Sequence, residues 1–359
     1  VTIDSIVVNG NAGISKRYLQ NYLGIKPGDI YNESVISGVD KRLKELPFLE
    51  MKSATMVNFS GGEARVGLFL EKKKASKFDF LIGLVPNSET TGKFSVTGEG
   101  ELHLQNPFGA GTEIDLEFHK LHGNTKEFEI GFLYPYIPLL PIGVDVGFDL
   151  YIRDTAYIDR AFDIGLQYIF IGNNYLKAFW NNKKSTILNF DSAAIVNSRQ
   201  LPAVLDVTNN QYGLEYRFTK LDYRPNPTKG FFVSLKGSAG IKKIRRNNGI
   251  SGLEDPDDPQ FDFATLFDSI DLTTTNIQLE YDIGYFYPLA KRHLAHLSIS
   301  GGNILSPRVF ENELFRLGGA KSLKGFDEES LLATHHLGFN LEYRFCLLYT
   351  SDAADDANC

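Results

Sequence analysis

Cysteine is nearly absent from the sequence: there are two, Cys346 and Cys359, and both lie close to its C-terminal end. The residues before them therefore contain neither a disulfide framework nor a thiolate metal site. Long apolar runs are also missing. A membrane-spanning helix needs about 20 consecutive apolar residues, and the sequence has no such run. Any passage through a membrane would therefore be made by strands.

Signatures of catalysis and of nucleic-acid binding are missing too. The sequence contains no Gly-x-Ser-x-Gly, Gly-x-x-x-x-Gly-Lys or His-Glu-x-x-His motif, and the adjacent His335 and His336 would face opposite sides of a strand. The formal net charge of −7 does not suit a nucleic-acid binder, which concentrates Lys and Arg on one face. We therefore expect no enzyme activity, no cofactor, no metal ion and no nucleic-acid partner. An enzyme domain encoded upstream of Val1 is an alternative.

Aromatic residues are abundant. They make up 13% of the chain, with 27 Phe and 17 Tyr, which is typical of strand-rich proteins. The first 74 residues form a separate pattern, in which helices follow an initial strand and two strands close the unit. Ser15 and Asn32 are the expected helix caps, and the predicted strands are 3–8, 48–59 and 64–70. The sequence therefore predicts a small α/β domain at residues 1–74.

From residue 75 onward the sequence alternates between apolar and polar residues. In the segment 143–153, for example, Val144, Val146 and Phe148 alternate with Asp145 and Asp149, as in a strand with one apolar face. The same pattern predicts twelve strands, at 76–85, 92–105, 111–121, 125–135, 142–153, 157–170, 174–190, 210–219, 230–242, 273–287, 292–302 and 335–345.

The connections between these strands are sorted by length. Every second connection is short, whereas the long ones, around residues 191–209, 243–272 and 303–334, all fall at the opposite end of the sheet. Outer-membrane barrels have this asymmetry. The acidic run 254–258 could bind calcium, but we expect a solvated outer loop there. The predicted fold is thus a transmembrane antiparallel β-barrel, with its apolar face toward lipid.

Several short motifs carry a resemblance to a known family. The N-terminal unit, with Asn9-Gly10-Asn11 and the stretch from Lys44 to Phe48, resembles a POTRA domain. The barrel resembles the BamA/TamA family of outer-membrane assembly factors, whose lumen loop carries an Arg-Gly-Phe type motif. The matching residues here are Leu323, Lys324, Gly325 and Phe326. Lys324 stands where the family has Arg, and Lys lacks the planar fork of Arg, so looser docking of this loop is expected.

The resemblance implies a mostly β fold, with about twelve of an expected sixteen barrel strands present at 75–345 and therefore an open sheet. Because alternation stops after Phe345, we expect residues 346–359 to be a non-native tail of a C-terminally truncated chain. The resemblance also implies an outer-membrane location, with residues 1–74 in the periplasm.

The function implied by the resemblance is ATP-independent assembly or translocation of polypeptides. An edge of the POTRA sheet would receive an unfolded client by strand addition, and the first barrel strand would form a lateral seam, with Phe78, Phe80, Ile82 and Gly83. The expected partners are unfolded outer-membrane proteins, outer-membrane lipids, and accessory lipoproteins or periplasmic chaperones. The alternatives are a two-partner secretion pore of the same superfamily and a passive porin or surface receptor.

Overall fold

A computed structural model of the chain describes residues 1–86, 94–121, 124–137, 140–170, 172, 174–224, 226–319 and 323–345. The expected non-native tail, 346–359, lies outside the described residues. The structure consists of a small α/β unit followed by a large antiparallel sheet. In the part of the chain that it describes, none of the helices combines the length and the apolar content needed to cross a bilayer.

The N-terminal unit has three strands and three short helices. Their order is β1 (Thr2–Asn9), α1 (Lys16–Leu23), α2 (Glu33–Ile36), α3 (Val39–Lys44), β2 (Leu49–Ser60) and β3 (Glu63–Lys72). In the sheet, β3 lies in the middle, parallel to β1 and antiparallel to β2. The apolar faces of α1 and α3 cover it, and Leu19, Leu23, Val39, Leu43 and Leu68 are almost inaccessible.

One expectation for this unit is wrong in detail. The apolar positions Val35, Ile36, Val39, Leu43 and Leu46 predict a single helix between Asn32 and Pro47. The helix is instead interrupted at Ser37 and Gly38. Asn32 does cap α2, and its side chain accepts a hydrogen bond from the Ser34 amide. A glycine in a helix interior lowers helix stability by about 1 kcal/mol relative to alanine. The helix therefore breaks at Gly38, and the apolar residues on either side of it lie on two short helices.

The remainder of the chain contains the twelve predicted strands, with ends shifted by a few residues, and two short strands that the sequence did not predict. They are β4 (Lys77–Pro86), β5 (Phe94–Gln105), β6 (Glu113–Lys120), β7 (Lys126–Tyr134), β8 (Ile142–Arg153), β9 (Tyr157–Ile169), β10 (Tyr175–Ile187), β11 (Val207–Leu221), β12 (Gly230–Ile244), β13 (Thr273–Ala290), β14 (His293–Leu305), a short pair β15 (Phe315–Leu317) and β16 (Leu331–Ala333), and β17 (His335–Phe345).

Twelve of these strands belong to one sheet, in which each strand pairs with its neighbour in sequence. The exception is β17, which pairs with β14 because β15 and β16 form a separate ribbon. The outermost strands are β4 and β17, and among the described residues no ladder joins them. The prediction of a mostly β, twelve-stranded antiparallel sheet that is open within this chain is confirmed.

Burial along the strands is inverted relative to a soluble protein. On β11, Tyr212 and Leu214 are 66% and 58% exposed, whereas Gln211 and Glu215, which flank them, are buried. Because side chains alternate across a sheet, the apolar residues share the outer face and the polar residues share the inner face. Outer-membrane barrels use this arrangement, with lipid outside and a polar lumen inside.

The long connections are structured, which the sequence pattern did not predict. They contain α4 (Ser192–Ser198), α5 (Asn248–Ser251) and two 3₁₀-helices, 263–269 and 311–313. Their apolar residues form a second core with Leu205, Ile250, Phe263, Phe267 and Phe310 almost fully buried. We call this packed part of segments 188–206, 245–272 and 306–314 the cap.

The acidic run in the cap is not simply solvated, contrary to expectation. Asp255 is buried, and both Asp255 and Asp258 accept from the Arg199 guanidinium, at 2.9 and 3.0 Å. The Arg199 hydrogen bond is the main reason that the pKa of Asp255 is lowered. Two of the acidic side chains in this run are therefore used to hold α4 to the following connection.

Candidate functional site

The short turns of the large sheet hold the N-terminal unit. Between β5 and β6, the Asn106 side chain donates to the Gly13 carbonyl at 3.0 Å and accepts from the Gly111 amide at 2.8 Å. The Ser15 amide donates to the Gly109 carbonyl at 2.9 Å. This turn, 106–112, therefore fastens the two units together.

Aromatic and charged contacts extend the same interface. The Tyr18 ring lies 5.5 Å from the ring of Tyr136, which precedes β8, and burial raises the pKa of Tyr18 well above its ordinary value. Glu45 lies 3.5 Å from Arg224 in the turn between β11 and β12. Burial raises the pKa of Glu45, and the Arg224 charge opposes that shift. The N-terminal unit thus contacts the turns of the sheet through buried side chains.

The two outer strands of the small sheet differ in accessibility. The outer edge of β1 is covered by segment 28–31, since the Ile3 amide donates to the Asp29 carbonyl at 2.8 Å and the Tyr31 amide donates to the Val1 carbonyl at 3.0 Å. Among the described residues, no strand pairs with the outer edge of β2. An unpaired edge of this kind offers a template for an added strand.

The residues predicted for a lateral seam all lie on β4, the first strand of the large sheet. Phe78, Phe80 and Ile82 are on its outer face and are more than half exposed. Gly83 is on the other face, opposite Thr97 of β5. The structure therefore brings the apolar members of the set together on the lipid-facing side of an outermost strand.

The residues predicted for the lumen loop lie between β15 and β16. The Leu323 amide donates to the Gly319 carbonyl at 3.2 Å, and the Gly319 amide donates to the Phe326 carbonyl at 3.0 Å, which closes the tip. Gly325 has φ +94, a conformation that favours glycine. Leu323, Lys324 and Phe326 are exposed. These four residues form one tight turn, whereas the contacts of the loop with the sheet are made by other residues.

The segment that joins β14 to the lumen loop is held against the sheet at the end where the long connections lie. The buried Lys242 ammonium, on the inner face of β12, lies 2.8 Å from a carboxylate oxygen of Glu313. Next to it, the Asn312 side chain donates to Ser185 Oγ at 2.6 Å and to the Leu205 carbonyl at 2.9 Å. No sequence motif marked these residues. Alternation could have placed Lys242 and Ser185 on the inner faces of their strands, but it could not have identified their partners in the 3₁₀-helix 311–313.

The inner face of the first strands is strongly acidic. Cross-strand pairing places five carboxylates directly opposite one another across β4 to β8: Asp79, Glu101, Glu117, Glu129 and Asp149. Like charges in such positions repel one another. Ligand atoms of Glu101, Glu117 and His119 come within 4.8 Å of one another. Basic residues are concentrated elsewhere on the wall, with Lys177, Lys183, Lys236 and Lys242 on β10 and β12.

Comparisons with known families give two matches. The POTRA family, described as a surface antigen variable number repeat, matches residues 1–69. The Omp85 superfamily domain matches residues 106–352. A comparison with curated protein sequences finds no match.

Solved structures show a similar fold. BamA from Haemophilus ducreyi lacking POTRA domains 1–3 is 13% identical, with a TM-score of 0.51; the match covers 98% of this chain and 69% of that one. CdiB from Acinetobacter baumannii is 14% identical, with a TM-score of 0.54; the match covers 95% of this chain and 60% of that one. The present chain thus spans 69% of the length of the first structure and 60% of the length of the second.

These matches agree with the sorted connections, the inverted burial and the domain order. They support a general role in assembly or translocation at the outer membrane. The family match over residues 106–352 covers more than half of the chain, and the chain therefore belongs to the Omp85 superfamily of outer-membrane β-barrel proteins, with a POTRA domain at its N-terminus.

Proposed function

We propose that the intact protein inserts or translocates outer-membrane polypeptides without ATP and without catalysing a chemical reaction. An unfolded client would first add to the POTRA sheet and then pass to the first barrel strand. Residues 1–74 would lie in the periplasm, where such clients arrive, and accessory lipoproteins or chaperones would deliver them there.

The observation that carries the proposal is the unequal accessibility of the two POTRA edges. Segment 28–31 blocks the edge of β1, whereas among the described residues no strand pairs with the outer edge of β2. Main-chain hydrogen bonds at such an edge bind extended peptides with little regard to sequence. A carrier of many different clients needs this kind of recognition.

The position of β4 supports the second step. It is an outermost strand of the large sheet, and it presents Phe78, Phe80 and Ile82 outward. No described strand pairs with its outer edge, so that edge can template a client strand while the outer face stays compatible with lipid. Because the POTRA unit is fastened to the turns of the same sheet, the client path between β2 and β4 has a fixed starting geometry.

Photo-crosslinking in cells tests this path. With p-benzoylphenylalanine at Met56 of β2 or at Ile82 of β4 in the full-length protein, we expect crosslinks to newly exported barrel proteins. The matched controls are Ile30 on the covered β1 edge and Leu166 on the outer face of β9, which are also strongly exposed. Both controls should give at least several-fold fewer client adducts, because neither position lies on an open strand edge.

Equal client crosslinking at the test and control positions would contradict the path. Depletion of the protein followed by outer-membrane proteomics tests the role itself. Unchanged levels of other barrel proteins would rule out general assembly. A two-partner secretion pore predicts a different result, namely crosslinks to one dedicated exported partner.

The cap argues against a passive porin. Aromatic side chains from two long connections are fully buried in it, so the long-loop end carries a packed core and not a set of solvated loops. We expect a low conductance for the protein in planar bilayers. Replacing both Phe263 and Phe267 with alanine removes buried contacts worth about 3–5 kcal/mol each and should raise the conductance severalfold.

The control for this measurement is Phe162→Ala, on the lipid-facing side of β9, which should leave the conductance unchanged. A large, stable open-channel conductance of the unmodified protein would favour the porin alternative.

A further inference from the structure

The base of the lumen loop contacts the inner wall through two charged residues. Arg316 lies on β15 and Glu329 precedes β16, so the β15–β16 ribbon holds the two sides of the loop next to each other. Both side chains reach the end of the β8–β9 hairpin. This is a different part of the molecule from the exposed turn that contains Lys324.

Arg316 makes three contacts there. Its guanidinium carbon lies 3.6 Å from the centre of the Tyr151 ring, its Nε lies 3.1 Å from Glu329, and its Nη1 lies 3.9 Å from Asp159. The side chain is only 21% exposed. A planar guanidinium can stack on a ring and bind carboxylates in its plane at the same time, which an ammonium group cannot do.

Glu329 completes the cluster from the other side of the loop. It accepts from the Tyr151 hydroxyl at 2.5 Å and from Arg153 Nη1 at 2.6 Å. Its φ of +54 is one that residues other than glycine rarely adopt. A strained backbone persists where the surroundings determine it, and here the three partners of the carboxylate provide that constraint.

The cluster contains two carboxylates and three cations. The carboxylates of Asp159 and Glu329 are shared among Arg153, Arg316 and Lys183, which lies 2.8 Å from Asp159. Removing one member leaves a partly buried charge with fewer partners, so the members depend on one another.

We propose that Arg316 and Glu329 are the positioning residues of the lumen loop, and that they fix it to the β8–β9 wall. The importance of this position for client handling rests on the proposed function, but the attachment itself can be measured independently. The loop is then held at its base, and the Lys324 turn projects from a fixed support.

The test uses the full-length protein in outer membranes, with its native cysteines replaced by serine and a reporter cysteine introduced at the half-buried Ala333 of β16. We expect Arg316→Gln and Glu329→Gln each to increase the rate of maleimide labelling roughly tenfold, and their double variant to add little, because contacting residues couple. Arg316→Lys should restore only part of the protection, since it keeps the charge but loses the stack.

The matched control is Arg308→Gln, an exposed cation of the same connection that should leave labelling unchanged. Heat-modifiable migration in gels verifies that each variant barrel is folded. Unchanged labelling in folded Arg316→Gln, or strictly additive effects of the two substitutions, would overturn the proposal. Loss of assembly activity on depletion is a separate measurement, so the attachment and the proposed function can fail independently.

Discussion

Replacing Lys242 with methionine is expected to destabilise the barrel by about 3–5 kcal/mol, because it leaves a buried carboxylate without its counter-charge. The Lys242 side chain is completely buried, Glu313 is 4% exposed, and their charged atoms are 2.8 Å apart. The same ammonium donates to the Arg308 carbonyl. The substitution should therefore release the start of the lumen connection from the wall and weaken the cap above it.

The measurement is the unfolding temperature of the purified full-length barrel, followed by heat-modifiable migration. Lys243→Met is the matched control, since Lys243 is the next residue and is exposed, and it should change the unfolding temperature little. Combining Lys242→Met with Glu313→Leu removes both charges and should recover part of the loss. A double variant less stable than Lys242→Met would show that the charge pair does not carry the effect.

A second large effect is expected for Gly111→Ala, in the turn that fastens the POTRA unit. Gly111 has φ +71, and a Cβ there would lie 2.0 Å from a ring carbon of Tyr18. Tyr18 is held by the Tyr22, Phe48 and Tyr136 rings, so it cannot move without disturbing the interface. Overpacking of this kind costs roughly 1–3 kcal/mol, in addition to about 1–2 kcal/mol for the left-handed backbone.

Pulsed electron paramagnetic resonance on the full-length protein, with spin labels at the exposed Lys26 and Lys229 and no native cysteines, measures the docking. We expect a narrow distance distribution in the parent and a broad one in Gly111→Ala. Gly61→Ala is the control, because Gly61 has φ +61 and no atom within 4 Å of the added Cβ; it adds the backbone strain without the clash. Equal broadening in both variants would show that strain alone loosens the units.

The strands of the large sheet could be derived from the sequence because their environment is simple. Lipid on one side and a polar lumen on the other impose a period of two on every strand, and segments such as 143–153 record it directly. The apolar and charged residues of β8 lie on the faces that alternation assigns to them. The sorting of short and long connections likewise follows from antiparallel order alone.

The sequence pattern predicted the helices and the long connections less well than the strands. The division of the second POTRA helix at Gly38 reflects a local cost that an apolar stripe does not reveal. The sequence predicted long connections without helices where the cap lies, because α4 and the 3₁₀-helix at 263–269 are too short to leave a clear periodic signal. Their stability comes from packing of Phe263 and Phe267 against Leu205 and Ile250, which are distant in sequence.

The sequence by itself determined that this protein has a POTRA-like unit and a barrel sheet, and which face of each strand meets lipid. Only the tertiary structure decided which inner residues meet: the acidic row from Asp79 to Asp149, the Lys242–Glu313 pair, and Arg316 with Glu329 on the β8–β9 wall. The physical reason is that alternation depends on the solvent at each face, which acts on every strand separately. A charge pair depends on the register of several strands and on the path of a long connection, and both are set only when the whole sheet has formed.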